Sequence, residues 1–178
     1  VLDTAGTLDK FMGDGIMAFW NAPVEVPDHV RAALRCALLM QRTIQDIDTR
    51  LSAEAEAQGR PATAVSIGIG IHTGPACVGN IGSEQRFDYS AIGDTVNTAA
   101  RIEPLCKTFK VGILVSEAVV EAAPEFAALY IGSVALRGRQ GDPHQALLQV
   151  LVARRLRRRV IGVDPAEQRI AGIGGQPR

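Results

Sequence analysis

The run Thr7-Leu8-Asp9-Lys10-Phe11-Met12-Gly13-Asp14-Gly15-Ile16-Met17-Ala18-Phe19-Trp20-Asn21-Ala22-Pro23 decides how the rest of the chain is read. Thr7–Met12 has the composition of a strand, and Gly13-Asp14-Gly15 is a turn signal, because Asp-Gly tolerates the positive φ of a tight hairpin. Ile16–Trp20 is the return strand, and Asn21-Ala22-Pro23 stops it. A carboxylate held at such a turn between two glycines is open to a hard cation such as Mg²⁺, which takes oxygen ligands. Turn chemistry by itself also accounts for Asp14, so both readings stand at this point.

A second run lies further along: Phe87-Asp88-Tyr89-Ser90-Ala91-Ile92-Gly93-Asp94-Thr95-Val96-Asn97-Thr98-Ala99-Ala100-Arg101. A helix capped by Asp94 and covering about residues 95–105 stacks Asn97 and Arg101 on one face at i and i+4. The two side chains offer donors to an anionic ligand, and the Arg fork suits phosphate. Asn is not a propensity choice inside a helix, which favours a specific role. Taken alone, a solvated polar face explains the pair equally well.

Outward from these runs, Asp28 is placed to cap a helix. Val30, Ala33, Leu34, Ala37, Leu38, Gln41, Ile44, Ile47 and Leu51 follow helical spacing as far as the low fifties. Ala64–His72 reads as a central strand; Gly68, Gly70 and Gly74 in and after it mark close approach of another backbone or a ligand. Ala76–Ile81 is expected to be its hairpin partner, and Tyr89–Ile92 to be short and extended. Val111–Val115 reads as a strand, Ser116–Ala122 as a short helix, and Val134–Leu136 and Ala146–Val152 as late strands. The pattern fits an α/β or α+β sandwich without choosing between them.

At 178 residues and 18.9 kDa the chain has the length of one domain, and 47% hydrophobic with 21% charged residues is a globular composition. No apolar run reaches the roughly 18 residues of a membrane span. Three separated cysteines (Cys36, Cys77, Cys106), with no CxxC pair, argue against a disulfide framework or a zinc site and for a reducing, cytoplasmic setting. The net charge is zero, yet residues 154–178 carry seven Arg against Asp164 and Glu167, a net +5 balanced by −5 elsewhere. A uniformly basic nucleic-acid binder does not look like this, so no nucleic-acid partner is expected. Residues 153–178 read as a basic, disordered tail, and its Arg run is consistent both with a solvated segment and with one that touches anionic lipid or nucleic acid.

Several chemistries are absent. There is no GxxxxGK[ST] phosphate loop, no complete GxGxxG and no GxSxG nucleophile elbow. His29, His72 and His144 are too scattered for a metal cluster, and His72 reads as a satisfied structural residue.

Together the two runs are far more specific than either alone. KFMGDGIMAFWNAP followed by GIHTGPACVGNIGSEQRFDYSAIGDTVNTAARIE resembles the catalytic domain of class III nucleotide cyclases. The likeness is to bacterial adenylate cyclases, including those joined to an extracytoplasmic CHASE2 sensor, and covers about residues 1–152. The resemblance implies an α+β fold with a ferredoxin-like βαββαβ core, and a head-to-tail homodimer with composite sites. It implies that Asp14 is one of two metal-binding aspartates for a pair of Mg²⁺ or Mn²⁺ ions. Lys10 matches the residue that reads the purine. Ser90 takes the second purine-reading position, where adenylate cyclases usually show Asp or Thr. Asn97 and Arg101 match the pair that positions the ribose and stabilises the transition state. Arg137 falls where the family places a basic residue on the terminal phosphates, with Arg139 two residues away. The family's other metal aspartate belongs to an upstream strand; Asp3 and Asp9 lie outside that motif and are not assigned. The chain is thus expected to be a truncated catalytic domain, lacking the first strand and the helices after it. A sensor domain, and any membrane anchor, would lie upstream.

The implied reaction converts ATP to 3′,5′-cyclic AMP and pyrophosphate. Two other readings stand beside it: a catalytically inactive cyclase-homology module for regulation or dimerisation, and a guanylate cyclase. The acidic hairpin signature of diguanylate cyclases is not present at Gly13-Asp14-Gly15.

Overall fold

A computed structural model of the protein describes residues 1–83, 86–136 and 144–151. A 3₁₀ turn at Leu2–Thr4 leads into β1 (Thr7–Met12) and β2 (Gly15–Phe19), an antiparallel pair. Met12 stands opposite Gly15, so the loop is Gly13-Asp14. Gly13 takes φ 65°, while Asp14 and Gly15 do not adopt positive φ. A glycine at the first loop position is the pattern of a II′ turn. The turn is where the sequence places it, but Gly13 rather than Asp-Gly supplies the left-handed residue.

Helix α1 (His29–Ala57) follows. Asp28 occupies the cap position without capping; its carboxylate pairs with Arg31 at 2.6 Å instead. The helix runs past the low fifties because Ala-Glu-Ala-Glu-Ala continues it with strong helix formers, and the connection turns at Gly59, φ 63°. Val30, Ala33, Leu34 and Ala37 form its buried stripe.

The remaining elements are β3 (Ile69–Ile71), β4 (Cys77–Ser83), β5 (Arg86–Ile92), α2 (Asp94–Ile102), α3 (Leu105–Phe109), β6 (Ile113–Ser116), α4 (Glu117–Ala122), β7 (Ala128–Leu136) and β8 (His144–Leu151). One four-stranded sheet has the order β3-β6-β8-β7, with β3 parallel to β6 and the other pairs antiparallel. The hairpins β1-β2 and β4-β5 are separate two-stranded sheets. The fold is mixed α and β as expected, although the β1-β2 hairpin and β3 lie in separate sheets among the described residues.

Three expectations need correction. The strand read at Ala64–His72 is in a ladder only over Ile69–Ile71, because its partner β6 begins at Ile113. Ala76–Ile81 does not pair with it: β4 pairs with β5, from Cys77↔Ile92 to Ser83↔Arg86. The helix expected over 95–105 starts at Asp94 with Gly93 as cap residue (φ 140°), stops at Ile102 and restarts as α3 beyond Pro104. A proline has no N–H to continue a ladder, which explains the break.

Strand β6 organises the core. Side chains alternate across a strand, so Ile113 and Val115 face α1 and α4, whereas Leu114 faces α2 and α3. All four β6 residues are buried, and helices cover both faces of the sheet. Gln41 of α1 fastens β3 to β6: its Nε2 donates to Ile67 O at 3.0 Å and to Gly112 O at 2.9 Å. The glycines near β3 serve another backbone. A Cβ at Gly70 would lie 2.5 Å from Glu103 N and 2.8 Å from Ala99 O, so only glycine lets the end of α2 pack this closely.

Candidate active site

Strand β1 departs from its ladder in the middle. Leu8 pairs with Ala18 and Lys10 with Met17, which leaves Asp9 as the extra residue of a bulge. In a regular strand Asp9 and Lys10 would point to opposite faces. The bulge instead brings Lys10 Nζ to 3.4 Å from Asp9 Oδ1. The Asp9 side chain is 1% exposed, while that of Lys10 is 43% exposed. The ammonium therefore reaches from solvent over a buried carboxylate.

The other Asp9 oxygen, Oδ2, accepts a hydrogen bond from Ser90 Oγ at 2.6 Å. Ser90 sits on β5 and is 4% exposed. Its cross-strand neighbour on β4 is Gly79, where a Cβ would meet nothing within 4 Å. The space beside Ser90 on that face is thus open. Asp9 Oδ1 has no hydrogen-bond partner among the described residues. Leaving such an atom buried costs about 1–3 kcal/mol, so the nearby ammonium is its main compensation.

Asp14 is exposed at the β1–β2 turn. On α2, Asn97 is exposed and Arg101 is partly buried in the last turn, where a cation complements the helix dipole. Thr95 Oγ1 donates to Pro75 O at 2.5 Å and ties the start of α2 to the segment before β4. The i, i+4 stacking of Asn97 and Arg101 therefore holds. No hydrogen bond or ion pair among the described residues links either of them to Lys10 or Asp14. Lys10 and Ser90, by contrast, meet through Asp9. Arg137 lies outside the described residues, as does the 153–178 tail.

Asp9 is the residue that sequence reasoning missed. Its identity as an acid was visible, but the bulge that buries it and turns it toward Ser90 has no signature in the sequence. His72 has the structural role expected of it: Nδ1 lies 2.7 Å from Ser116 Oγ. Burial pushes its pKa below the ordinary histidine value, with a smaller opposing pull from Asp94. The cysteines are free, with Cys36 and Cys106 buried and Cys77 exposed.

Asp14 offers one carboxylate to a cation. Among the described residues no group of three or more His, Cys, Asp or Glu side chains is placed to hold a metal ion. They do not by themselves make a two-ion site. Nor is any helix among them long and apolar enough to cross a membrane.

Comparison with known proteins fits this geometry. Residues 9–150 match the family described as the adenylate and guanylate cyclase catalytic domain. Adenylate cyclase 1 of Rhizobium meliloti (strain 1021) is 36% identical over 135 residues, covering 75% of this chain and 19% of the relative. The adenylate cyclase of Anabaena cylindrica is 36% identical over 141 residues, covering 77% of this chain and 27% of the relative. The chain thus spans about a fifth to a quarter of these relatives. Among solved structures, the adenylyl cyclase CyaB from P. aeruginosa superposes with a TM-score of 0.69 at 30% identity, over 86% of this chain and 76% of that one. A guanylyl cyclase superposes with a TM-score of 0.67 at 29% identity, over 88% and 75%. The chain belongs to the class III nucleotide cyclase family, as the catalytic domain.

Proposed function

We propose that this domain is an adenylate cyclase, turning ATP into 3′,5′-cyclic AMP and pyrophosphate for intracellular signalling. The observation that carries the reading is the meeting of Lys10 and Ser90 on one carboxylate across 81 residues of sequence between Asp9 and Ser90. These are the two positions that the family resemblance assigns to the purine. Adenine presents an acceptor at N1 and a donor at its 6-amino group; guanine presents a donor at N1 and an acceptor at O6. Lys10 only donates, so it suits N1 of adenine and opposes N1–H of guanine. The matching relatives named as adenylate cyclases support the same choice.

In the proposed reaction the ribose 3′-hydroxyl attacks the α-phosphorus in line. The O3′–Pα bond forms, the bond from Pα to the bridging oxygen breaks, pyrophosphate leaves with that oxygen, and the hydroxyl proton passes to solvent. Asn97 orients the ribose. Arg101 neutralises charge growing on the α-phosphate, and a preorganised donor of this kind is worth about 2.7–4 kcal/mol. Arg137 is proposed for the terminal phosphates. Asp14 is proposed as one ligand for a pair of Mg²⁺ or Mn²⁺ ions. Two copies pair head to tail, one supplying Asp14 and the other Lys10, Ser90, Asn97 and Arg101. The exposed Phe11, Met12, Ile16, Phe87 and Ile92 on the two hairpins give such a pairing apolar surface to cover.

The test is product analysis of the full-length protein given ATP or GTP with Mg²⁺ or Mn²⁺. Cyclic AMP is expected as the dominant product. Dominant cyclic GMP would reassign the base, and no cyclic product from either would favour the inactive regulatory module.

A further inference from the structure

Asp9 has no part in the roles assigned so far, yet it is a buried carboxylate in contact with both Lys10 and Ser90. Its side chain is 1% exposed, it sits at the bulge of β1, and it faces both base-reading positions. We infer that Asp9 is a specificity-determining positioning residue: by accepting the Ser90 proton it leaves Ser90 only lone pairs to offer the base. The inference rests on the adenylate cyclase reading and deepens it.

A serine hydroxyl is ambivalent. It has one proton and two lone pairs, and it rotates to suit its partner. Unrestrained, Ser90 would accept from the 6-amino group of adenine or donate to O6 of guanine. An ionised carboxylate can only accept. The 2.6 Å contact between Ser90 Oγ and Asp9 Oδ2 therefore fixes the proton on that side. What remains of the oxygen is an acceptor, complementary to adenine and repelled by O6 of guanine. Gly79 keeps the space beside Ser90 open, so a base edge is not blocked by a cross-strand side chain. The second oxygen of Asp9 draws the Lys10 ammonium to the same carboxylate at 3.4 Å. The carboxylate thus holds one donor and one acceptor side by side, the pattern that reads N1 and the 6-amino group. A Ser alone at position 90 is neutral between the two purines; Ser90 with Asp9 is not.

The experiment compares the ATP-over-GTP preference of the full-length protein with that of Asp9→Asn, Asp9→Ala, Ser90→Ala and the Asp9→Asn/Ser90→Ala double variant. Preference is read twice: as the ratio of kcat/KM values, and as competition by ATP or GTP against a fluorescent ATP analogue, which needs no turnover. Asn can donate its amide to Ser90 and free the hydroxyl proton, so Asp9→Asn is expected to lower the preference about tenfold, or 1.4 kcal/mol. Asp9→Ala leaves Ser90 unpartnered without keeping a buried charge, and is expected to do the same if the Asn variant fails to fold. In the Ser90→Ala background, Asp9→Asn should change the preference by less than about twofold, because Asp9 acts through Ser90. An unchanged preference in folded Asp9→Asn or Asp9→Ala overturns the inference. So does an equal loss with and without Ser90, which would mark Asp9 as a general structural residue. A protein that binds and discriminates the purines in this way, yet makes no cyclic product, would overturn the adenylate cyclase reading and leave the role of Asp9 standing. A protein that binds neither nucleotide overturns both.

Discussion

In the four-stranded sheet, Leu114 and Val115 are 0% exposed and lie between helices on both faces. In the hairpins β1–β2 and β4–β5, Phe11 is 68% and Phe87 60% exposed, and the two hairpins meet through the Asp9–Ser90 hydrogen bond and the Phe19–Tyr89 ring pair, centroids 6.2 Å apart. The sheet is held by apolar burial, with Gln41 tying β3 to β6. The hairpins are held by their own ladders, by the Asp9–Ser90 hydrogen bond and by the Phe19–Tyr89 contact, and they display apolar surface outward. The proposed site residues divide along the same line. Lys10, Asp14 and Ser90 stand on the lightly packed hairpins, while Asn97 and Arg101 stand on α2, which is pressed against β3.

The largest expected effect tests the shared site. In the full-length protein, Asp14→Asn or Arg101→Ala alone is expected to lower cyclic AMP formation ~10²–10³-fold. Asp14 is exposed at a turn, so its loss of charge should leave the melting temperature nearly unchanged. Co-expressed, the two variants form heterodimers in which one site collects both lesions and the other none. Activity should return to about half the normal value per heterodimer, since a two-fold assembly has two equivalent sites. Heterodimers that form and stay inactive would place Asp14 and Arg101 in one chain's site.

Next comes the contrast in packing. Leu114→Ala removes a fully buried side chain packed under α2 and α3 and should cost about 2–5 kcal/mol, measured by urea denaturation. Ile16→Ala, on the exposed face of the hairpin, should cost less than about 0.5 kcal/mol in the isolated chain. Equal losses would mean that the hairpins share the core of the sheet.

A smaller effect tests the α2 seam. Gly70→Ala places a methyl against Glu103 N and should cost about 1–3 kcal/mol. Gly79→Ala meets nothing within 4 Å and should be near neutral in stability. Normal stability in Gly70→Ala would show that α2 can shift away from β3.

The smallest concerns pH. His72 has its pKa lowered by burial, with Asp94 opposing. A depressed histidine is neutral in the fold while the unfolded chain protonates first. Its contribution is present above the unfolded value of about 6.5 and is lost as pH falls toward the folded one. Stability should therefore decline modestly as pH falls below about 6.5, and His72→Gln should flatten that part of the profile. An unchanged slope would assign it to other groups.

What was legible in the sequence was local. The turn at Gly13-Asp14, the stripe Val30–Ala37 and the i, i+4 pair Asn97 and Arg101 each need only a few neighbours to be recognised. Pairing was not local. Nothing in Cys77–Ser83 distinguishes a partner before it from one after it, and the strand was matched to the wrong neighbour. The meaning of Gly68 and Gly70 was half legible: something close was implied, and only the fold shows that it is α2 and α3. Asp9 was least legible, because a bulge depends on how two strands register, and that register depends on the whole hairpin.

The fit of Gly70 against α2 also bears on how such a chain can vary. Every substitution of glycine adds at least a methyl group, so at position 70 each amino-acid change meets the same main-chain atoms of Ala99 and Glu103. Gly79 has no such neighbour. Random mutagenesis followed by selection for folding should therefore return a narrow seam of intolerance along β3 and α2. Substitutions should spread freely at Gly79 until selection is made for the choice of nucleotide.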